Sequence, residues 1–308
     1  MSAPFKPSQR HRAMDTSLRV ATGLATALIL TVLAVIVVDV LRHGWSKLSI
    51  GFLFEAPREG MTEGGIFPAL VGTVALVLLM TVAVVPVGVA TAIYLSEYSS
   101  SSSKLTRAIR VAVNNLAGVP SVVFGLFGLG FFVQFVGPAV DKALFGGERV
   151  YAQPALIWAS LTMAILTMPV VIVATEEALR AIPRDLREAS LALGATRFQT
   201  IFRVVVPQAA PGILTGTILA ISRGAGEVAP IMFTGVAYFL PQLPDKLSSQ
   251  FMHLGNHVYT LATQSADVDA TQPILYATVA VLLALTFSLN LAAVVVRSKM
   301  RARIAQAR

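Results

Sequence analysis

Two opposite charges interrupt an apolar stretch of this 308-residue chain. Arg223 and Glu227 lie in "ISRGAGEVAP" (221–230), with "GILTGTILA" before it and "IMFTGVAYFL" after it. An arginine at the centre of a membrane helix costs about 2.5–3.5 kcal/mol on insertion scales, so it needs a partner or a watery cavity. At i and i+4 of one helix, the two side chains could neutralise each other. Alternatively, the guanidinium could donate two charge-assisted hydrogen bonds to the oxygens of an anion.

The glycines around this pair affect both interpretations. Gly224 and Gly226 are expected to make the helix irregular and to let another backbone or a ligand approach closely. Glu227 is expected one turn beyond Arg223 on the same helix face. Earlier in the same segment, Gly212-x-x-x-Gly216 is a pattern that permits close helix packing.

The composition predicts a membrane protein. Hydrophobic residues make up 55% of the chain and charged residues only 13%, whereas soluble domains carry about 25% charged residues. The chain contains no cysteine, which excludes disulfides, thiolate metal sites and cysteine nucleophiles. Its net charge of +8 comes from residues between and beyond the apolar segments, which is typical of membrane topology and not of a nucleic-acid surface.

Six segments are apolar over about the 20 residues that a helix needs to cross a bilayer. They are residues 18–41, 68–95, 111–136, 154–175, 208–238 and 273–296. The first is predicted to be a retained span because no A-x-A cleavage site follows it. The sequence therefore predicts an all-α integral membrane protein.

The basic residues predict the orientation of these spans. Of the 24 lysines and arginines, 17 fall in the two terminal segments and two alternate loops, if Arg19 at the start of the first span is counted with the N-terminal segment, and six fall in the other loops. The positive-inside rule then places both termini in the cytoplasm. The predicted organisation is a cytoplasmic N-terminal tail (1–17), a first transmembrane helix (18–41), a periplasmic segment (42–67), a transmembrane core (68–296) with an inner loop at 176–207, and a basic cytoplasmic tail (297–308).

The inner loop at 176–207 is predicted to form a helical elbow. Pro183 suits the start of a first helix and Gly194 its left-handed end. Thr196 and Gln199 have the spacing of a capping box that restarts the helix. The pattern aligns apolar faces that contain Leu186, Ser190 and Leu193 on one helix and Phe198, Ile201 and Phe202 on the other. Such an elbow fits a partner's groove or folds back onto its own bundle, and the pattern leaves both open.

The elbow also resembles a known motif. Its residues are Glu188-Ala189-Ser190, then Gly194, then Val204-x-Val206-Pro207. They are similar to the EAA motif of ABC importer permeases, E-A-A-x3-G-x9-I-x-L-P, with serine for the second alanine and valines for isoleucine and leucine. The resemblance implies the type I ABC importer permease fold, with the elbow docked on an ATPase subunit. It implies that Glu188 anchors the contact, that Gly194 forms the bend, and that Ala189, Ser190 and Pro207 belong to the same coupling element.

The flanking segments resemble the phosphate-specific ABC permeases. They are "EGGIFPALVGT" (63–73), "AIYLSEY" (92–98), "NLAGVPSVVFGLFGLGFF" (115–132) and "RGAGEVAPIMFTG" (223–235). The first and last are closer to the PstA type than to the PstC type. The resemblance implies a heterodimer with a PstC-type permease, two copies of an ATP-binding subunit, an external phosphate-binding protein, and a location in the bacterial inner membrane.

The chain itself is not expected to be an enzyme. It contains no Gly-Lys dipeptide, and therefore no phosphate-binding loop of the G-x-x-x-x-G-K-[ST] type. No cofactor is expected on this chain, and ATP and Mg are expected in the partner ATPase. His253 and His257 lack a third ligand nearby, so no metal site is predicted. Glu176-Glu177 is expected to be a solvated helix end.

The resemblance implies that Arg223 and Glu227 line the substrate path. Because the EAA motif does not encode the substrate, a permease of a sulfate/molybdate-type ABC importer is an alternative. A proton-coupled secondary anion transporter that uses Glu227 as its proton carrier is a second alternative, although it has no use for a docking elbow.

Overall fold

The structure, a computed structural model, describes residues 9–100 and 102–306. Within these ranges, six helical segments are long and apolar enough to cross a membrane, which confirms the predicted number and the all-α class. They are Met14–Gly44, Phe67–Tyr98, Ser121–Leu144, Leu156–Arg180, Arg197–Gly226 and Val268–Met300. Residues 1–8 of the predicted N-terminal tail, and residues 307–308 of the C-terminal one, lie outside the described residues.

Three helices form the centre of the molecule: α3 (Phe67–Ile93), α7 (Leu156–Arg180) and α10 (Val206–Gly226). Between α7 and α10, a Cβ added at Gly212 would lie 2.4 Å from the Cβ of Ala178, and one at Gly216 would lie 2.5 Å from that of Ala174. Such distances require glycine, so the close packing predicted from the Gly-x-x-x-Gly pattern is confirmed.

The first span packs at the periphery. Helix α1 (Gln9–Gly44) contacts mainly the last helix, α13 (Val268–Gln306). Gly44 lies against the backbone of Ala277, and the His43 ring stacks on Tyr276 with centroids 4.8 Å apart. Most apolar side chains of α1 face away from the rest of the chain, as expected for a helix surrounded by lipid or by a partner.

The third span begins ten residues later than the predicted 111–136. Residues Lys104–Ala117 form a separate helix, α4, and the span itself consists of α5 (Ser121–Gly128), a π-helical turn (Leu129–Val136) and α6 (Gly137–Leu144). The break lies at Gly118 and Pro120, since proline cannot donate a backbone hydrogen bond and disfavours helix in the residue before it.

The fifth span ends at Gly226, so its predicted continuation to residue 238 is wrong. It begins with α9 (Arg197–Thr200) and a π-helical turn (Ile201–Val205), which lead into α10. A separate short helix, α11 (Ala229–Thr234), follows. In a continuous helix, the ring of Pro230 would clash with the carbonyl of Gly226, which explains the break.

Short elements close the side of the bundle opposite the elbow. The segment after α1 contains α2 (Ile50–Phe54) and an antiparallel hairpin of β1 (Pro57–Arg58) and β2 (Glu63–Gly64), joined by a 3₁₀ turn at Glu59–Met61. The segment before α13 contains α12 (Leu254–Gln264). Phe52, Met61 and Leu254 join one buried cluster between these elements.

Candidate functional site

Arg223 and Glu227 form an ion pair at the C-terminal end of α10. The distance from Arg223 Nε to Glu227 Oε1 is 3.5 Å, and the side chains are 46% and 23% exposed. Glu227 has extended backbone (φ −78°, ψ 134°) and follows the last helical residue. Glu227 is thus the C-cap, one turn after Arg223, and the two side chains pair across that turn at the point where the helix ends.

The end of α10 is held by its buried residues, not by the charged pair. Gly224 and Ala225 are buried, and a Cβ at Gly224 would lie 2.6 Å from the sulfur of Met80 on α3. Around Gly226, no described atom lies within 4 Å of the Cβ position. The close approach predicted at both glycines thus occurs only at Gly224, where the neighbour is a side chain. Gly224 thus faces α3, while the neighbouring Arg223 is exposed.

Helix α13 braces the same part of α10 with polar contacts. The Ser222 hydroxyl donates a hydrogen bond to the side-chain oxygen of Asn290. Two turns earlier on α10, the Thr215 hydroxyl accepts a hydrogen bond of 3.4 Å from Arg297. The guanidinium of Arg223 thus projects from a braced helix end, with its one described carboxylate partner at a long distance.

The elbow has the predicted form. Helix α8 (Arg184–Ala192) starts one residue later than expected, with Pro183 as its N-cap. Gly194 has φ +85°, the left-handed conformation that favours glycine, and both hydrogen bonds of the Thr196–Gln199 capping box are present. The Ser190 hydroxyl lies 2.9 Å from that of Thr200 and joins the two arms.

Most of the motif residues lie on the elbow surface. Helix α8 has no buried residue, and Glu188, Ala189, Gly194 and Pro207 are exposed. Leu193 is 89% exposed. Nearby, the exposed rings of Phe198 and Phe202 lie 4.5 Å apart. Ile201 departs from the prediction, because it is buried in a cluster with Leu179 and Val205. The elbow therefore folds back onto the bundle through its second arm and presents an apolar tip outward.

A mostly shielded ion pair that the sequence did not predict fastens the elbow. Arg187 of α8 binds Glu97, which lies in the π-helical turn Tyr94–Tyr98 after α3, with N–O distances of 2.8 and 3.3 Å. A second pair joins Arg110 of α4 to Glu176 of α7 at 2.8 Å. Glu176 is largely buried, so its expected place at a solvated helix end is wrong. The only sequence signal was the presence of acids among the basic residues of the inner segments.

A basic cavity of about 530 Å³ lies between the elbow and the end of α3. It is lined by Ser96, Glu97, Arg180, Ile182, Arg184, Arg187, Glu188 and Arg197. Four arginines and two glutamates leave a positive balance, which favours acidic groups of a partner at this surface.

Two buried histidines mark the start of α12. Burial lowers the pKa of His253 to about 3 and that of His257 to about 4, so both rings are neutral at pH 7. His253 Nδ1 accepts the Gly255 N–H at 3.1 Å. Its Nε2 and both ring nitrogens of His257 have no hydrogen-bond partner among the described residues. No group of three potential metal ligands occurs in the described ranges.

Comparisons with known proteins identify relatives of most of the transmembrane core. The profile of the family described as binding-protein-dependent transport system inner membrane component matches residues 84–302. The probable ABC transporter permease protein YqgI of Bacillus subtilis (strain 168) is 34% identical over 212 residues, which cover 69% of this chain and 67% of that protein. The phosphate transport system permease protein PstA 1 of Mycobacterium tuberculosis (strain ATCC 25618 / H37Rv) is 32% identical over 244 residues, which cover 75% and 73%.

Solved structures share the fold. A chain of a bacterial alginate ABC transporter, solved in complex with an alginate pentasaccharide-bound periplasmic protein, aligns with TM-score 0.63 over 92% of this chain and 94% of its own length, at 18% identity. A chain of the inward-facing MetNI methionine ABC transporter aligns with TM-score 0.55 over 76% and 97%, at 17% identity.

Proposed function

Because this chain belongs to the family of inner-membrane components of binding-protein-dependent transport systems, we propose that it is the permease subunit of an ATP-driven phosphate importer. It forms half of the translocation path and docks the ATPase through the elbow at 176–207. The relatives named as phosphate transport permeases support this choice of substrate.

The observation that carries the proposal is the half-exposed Arg223 at the end of α10, a helix that has no other charged residue. Its planar guanidinium matches two oxygens of a phosphate, and charge-assisted hydrogen bonds of this kind are about twice as strong as neutral ones. A single arginine also lets the anion leave, whereas a cluster of cations would retain it. Glu227 pairs with Arg223 when the path is empty and is displaced or protonated as phosphate passes.

The remaining subunits follow from the proposed role. The chain pairs with a PstC-type permease, so that each permease supplies half of the path. Two copies of an ATP-binding subunit bind ATP and Mg and contact the two elbows, with Glu188 as the anchor on this chain. An external phosphate-binding protein delivers the anion on the outer face of the bacterial inner membrane. The exposed apolar tip of the elbow supports the ATPase contact.

The test is purification of the full complex through this subunit, followed by ATPase and phosphate-uptake assays in proteoliposomes. Phosphate, and not sulfate or molybdate, is expected to stimulate hydrolysis. Arg223→Gln is expected to abolish phosphate uptake while the complex still assembles. Arg42→Gln is the matched control, since Arg42 is exposed at the end of α1 and has no described ion pair. Normal uptake by Arg223→Gln would refute the assigned role of Arg223.

A further inference from the structure

We propose that Glu97 is the positioning residue through which the elbow moves the second span, and through it the Arg223 site. The inference rests on the proposed function, because it takes the elbow to be the ATPase contact. It concerns a residue outside the EAA motif and about 90 positions from the elbow in sequence.

Both arms of the elbow converge on Glu97. From the first arm, Arg187 donates two hydrogen bonds to the Glu97 carboxylate, at 2.8 and 3.3 Å. From the second arm, Arg197 donates to the backbone carbonyl of Glu97, and its guanidinium lies 5.6 Å from the centroid of the neighbouring Tyr98 ring. One residue at the end of the second span therefore holds the two helices of the elbow.

Arg187 extends this connection to the fourth span. Its guanidinium also donates to the carbonyl oxygens of Leu179 at 2.8 Å and Ile182 at 2.6 Å, at the C-terminal end of α7. A cation is favourable there because the last carbonyls of a helix lack partners. Movement of α8 thus acts on the ends of α3 and α7 together.

The pair is shielded from solvent. The side chains of Arg187 and Glu97 are 20% and 10% exposed. Ion pairs on the surface contribute little, but removal of one partner from a shielded pair leaves an uncompensated charge in a poor solvent. Because α8 has no buried side chain of its own, this pair supplies its main anchorage.

The second span connects Glu97 to the path. Helix α3 runs from the turn at Glu97 back to Met80, whose side chain fills the space beside Gly224. Gly224 directly follows Arg223. A shift of α3 along its axis would therefore press on the residue next to the proposed phosphate contact, through packed atoms over the whole distance.

The experiment compares Glu97→Gln with wild type in the purified complex in proteoliposomes. It measures the amount of ATPase subunit that co-purifies and the ATP hydrolysed per phosphate imported. Glu97→Gln is expected to keep the subunits together and to raise the ATP-to-phosphate ratio about tenfold, the effect of a coupling energy typical of single residues. Glu148→Gln is the matched control, because Glu148 is exposed after the third span, on the side opposite the elbow, and has no described ion pair.

An unchanged ratio in Glu97→Gln would overturn the proposal, as would a loss of uptake in strict proportion to a loss of assembly. If Glu97→Gln does not assemble, Arg187→Lys decides, since it keeps the charge and removes the two-pronged contact; an unchanged ratio there also overturns the proposal. If an anion other than phosphate stimulates the wild-type complex, the ratio is measured with that anion. A wrong substrate is thereby separated from a wrong role for Glu97.

Discussion

Arg223 differs from the other 23 lysines and arginines because it alone falls deep within a predicted span, whereas Arg19 lies at the edge of the first span and the others fall in tails and loops. Its surroundings explain how it is tolerated. Glu227 supplies a compensating charge, and the exposed face of the chain at this point gives the guanidinium access to a polar path or a partner. The pairing and the anion-binding interpretations are compatible. The 3.5 Å between Arg223 Nε and Glu227 Oε1 is longer than a strong hydrogen bond, so an anion can replace the carboxylate as the partner of Arg223.

Glu188 is the residue at which docking can be tested alone. It is exposed on α8 and has no ion pair with a described residue. Glu188→Lys should therefore leave the fold intact and remove most of the co-purifying ATPase subunit, because it reverses a charge in the centre of the expected interface. Glu148→Lys is the control, because Glu148 is exposed after the third span on the side opposite the elbow. Equal recovery of the ATPase with Glu188→Lys and wild type would count against the assignment.

At the scale of elements, the contact between α7 and α10 depends on the absence of side chains. A Cβ at Gly216 would meet the Cβ of Ala174 at 2.5 Å, so Gly216→Ala must push the helices apart. Overpacking of this kind costs about 1–3 kcal/mol. We expect a lower melting temperature in detergent for Gly216→Ala. Gly226→Ala makes the same change where no described atom lies nearby, and it should melt like wild type.

If Gly216→Ala and Gly226→Ala had the same melting temperature, α7 and α10 would not be in the close contact that the structure shows at Gly216.

The stability of the folded chain is expected to depend on pH because of the two buried histidines at the start of α12. Because burial lowers the pKa of His253 and His257 below the ordinary value of 6.5, the unfolded chain takes up protons that the folded chain excludes. Above about pH 6.5 both rings are neutral in the folded and the unfolded chain, and the free energy of unfolding has its full value. As the pH falls from 6.5 toward 4, the free energy of unfolding decreases by up to about 1.4 kcal/mol per pH unit for each ring. The melting temperature should therefore fall between pH 7 and pH 5.

The variant His257→Phe should show a shallower fall over the same range, since one of the two titrating rings is gone. Parallel curves of melting temperature against pH for this variant and wild type would show that His257 remains accessible to protons in the folded chain.

At the scale of the whole molecule, the sequence predicts the features that depend only on residues close together in the chain. The six spans follow from runs of apolar residues, and the elbow follows from Gly194 and the capping box of Thr196. The boundaries at Ser121 and Gly226 were missed because hydropathy does not register a helix break within an apolar run. The pairs Glu97–Arg187 and Arg110–Glu176 were missed because their partners are 90 and 66 positions apart and meet only after the bundle has formed.

The orientation in the membrane depends on the whole charge distribution and stays a prediction. The chain has no cysteine, so single cysteines report accessibility without background. We expect a membrane-impermeant maleimide to label the variant Leu144→Cys in spheroplasts, since Leu144 ends the third span on the side opposite the elbow. The variant Leu193→Cys should be labelled only after permeabilisation, because Leu193 is exposed on the elbow, which the excess of basic residues places inside. The reverse pattern would place the elbow outside the cell, where no ATP-hydrolysing partner could reach it.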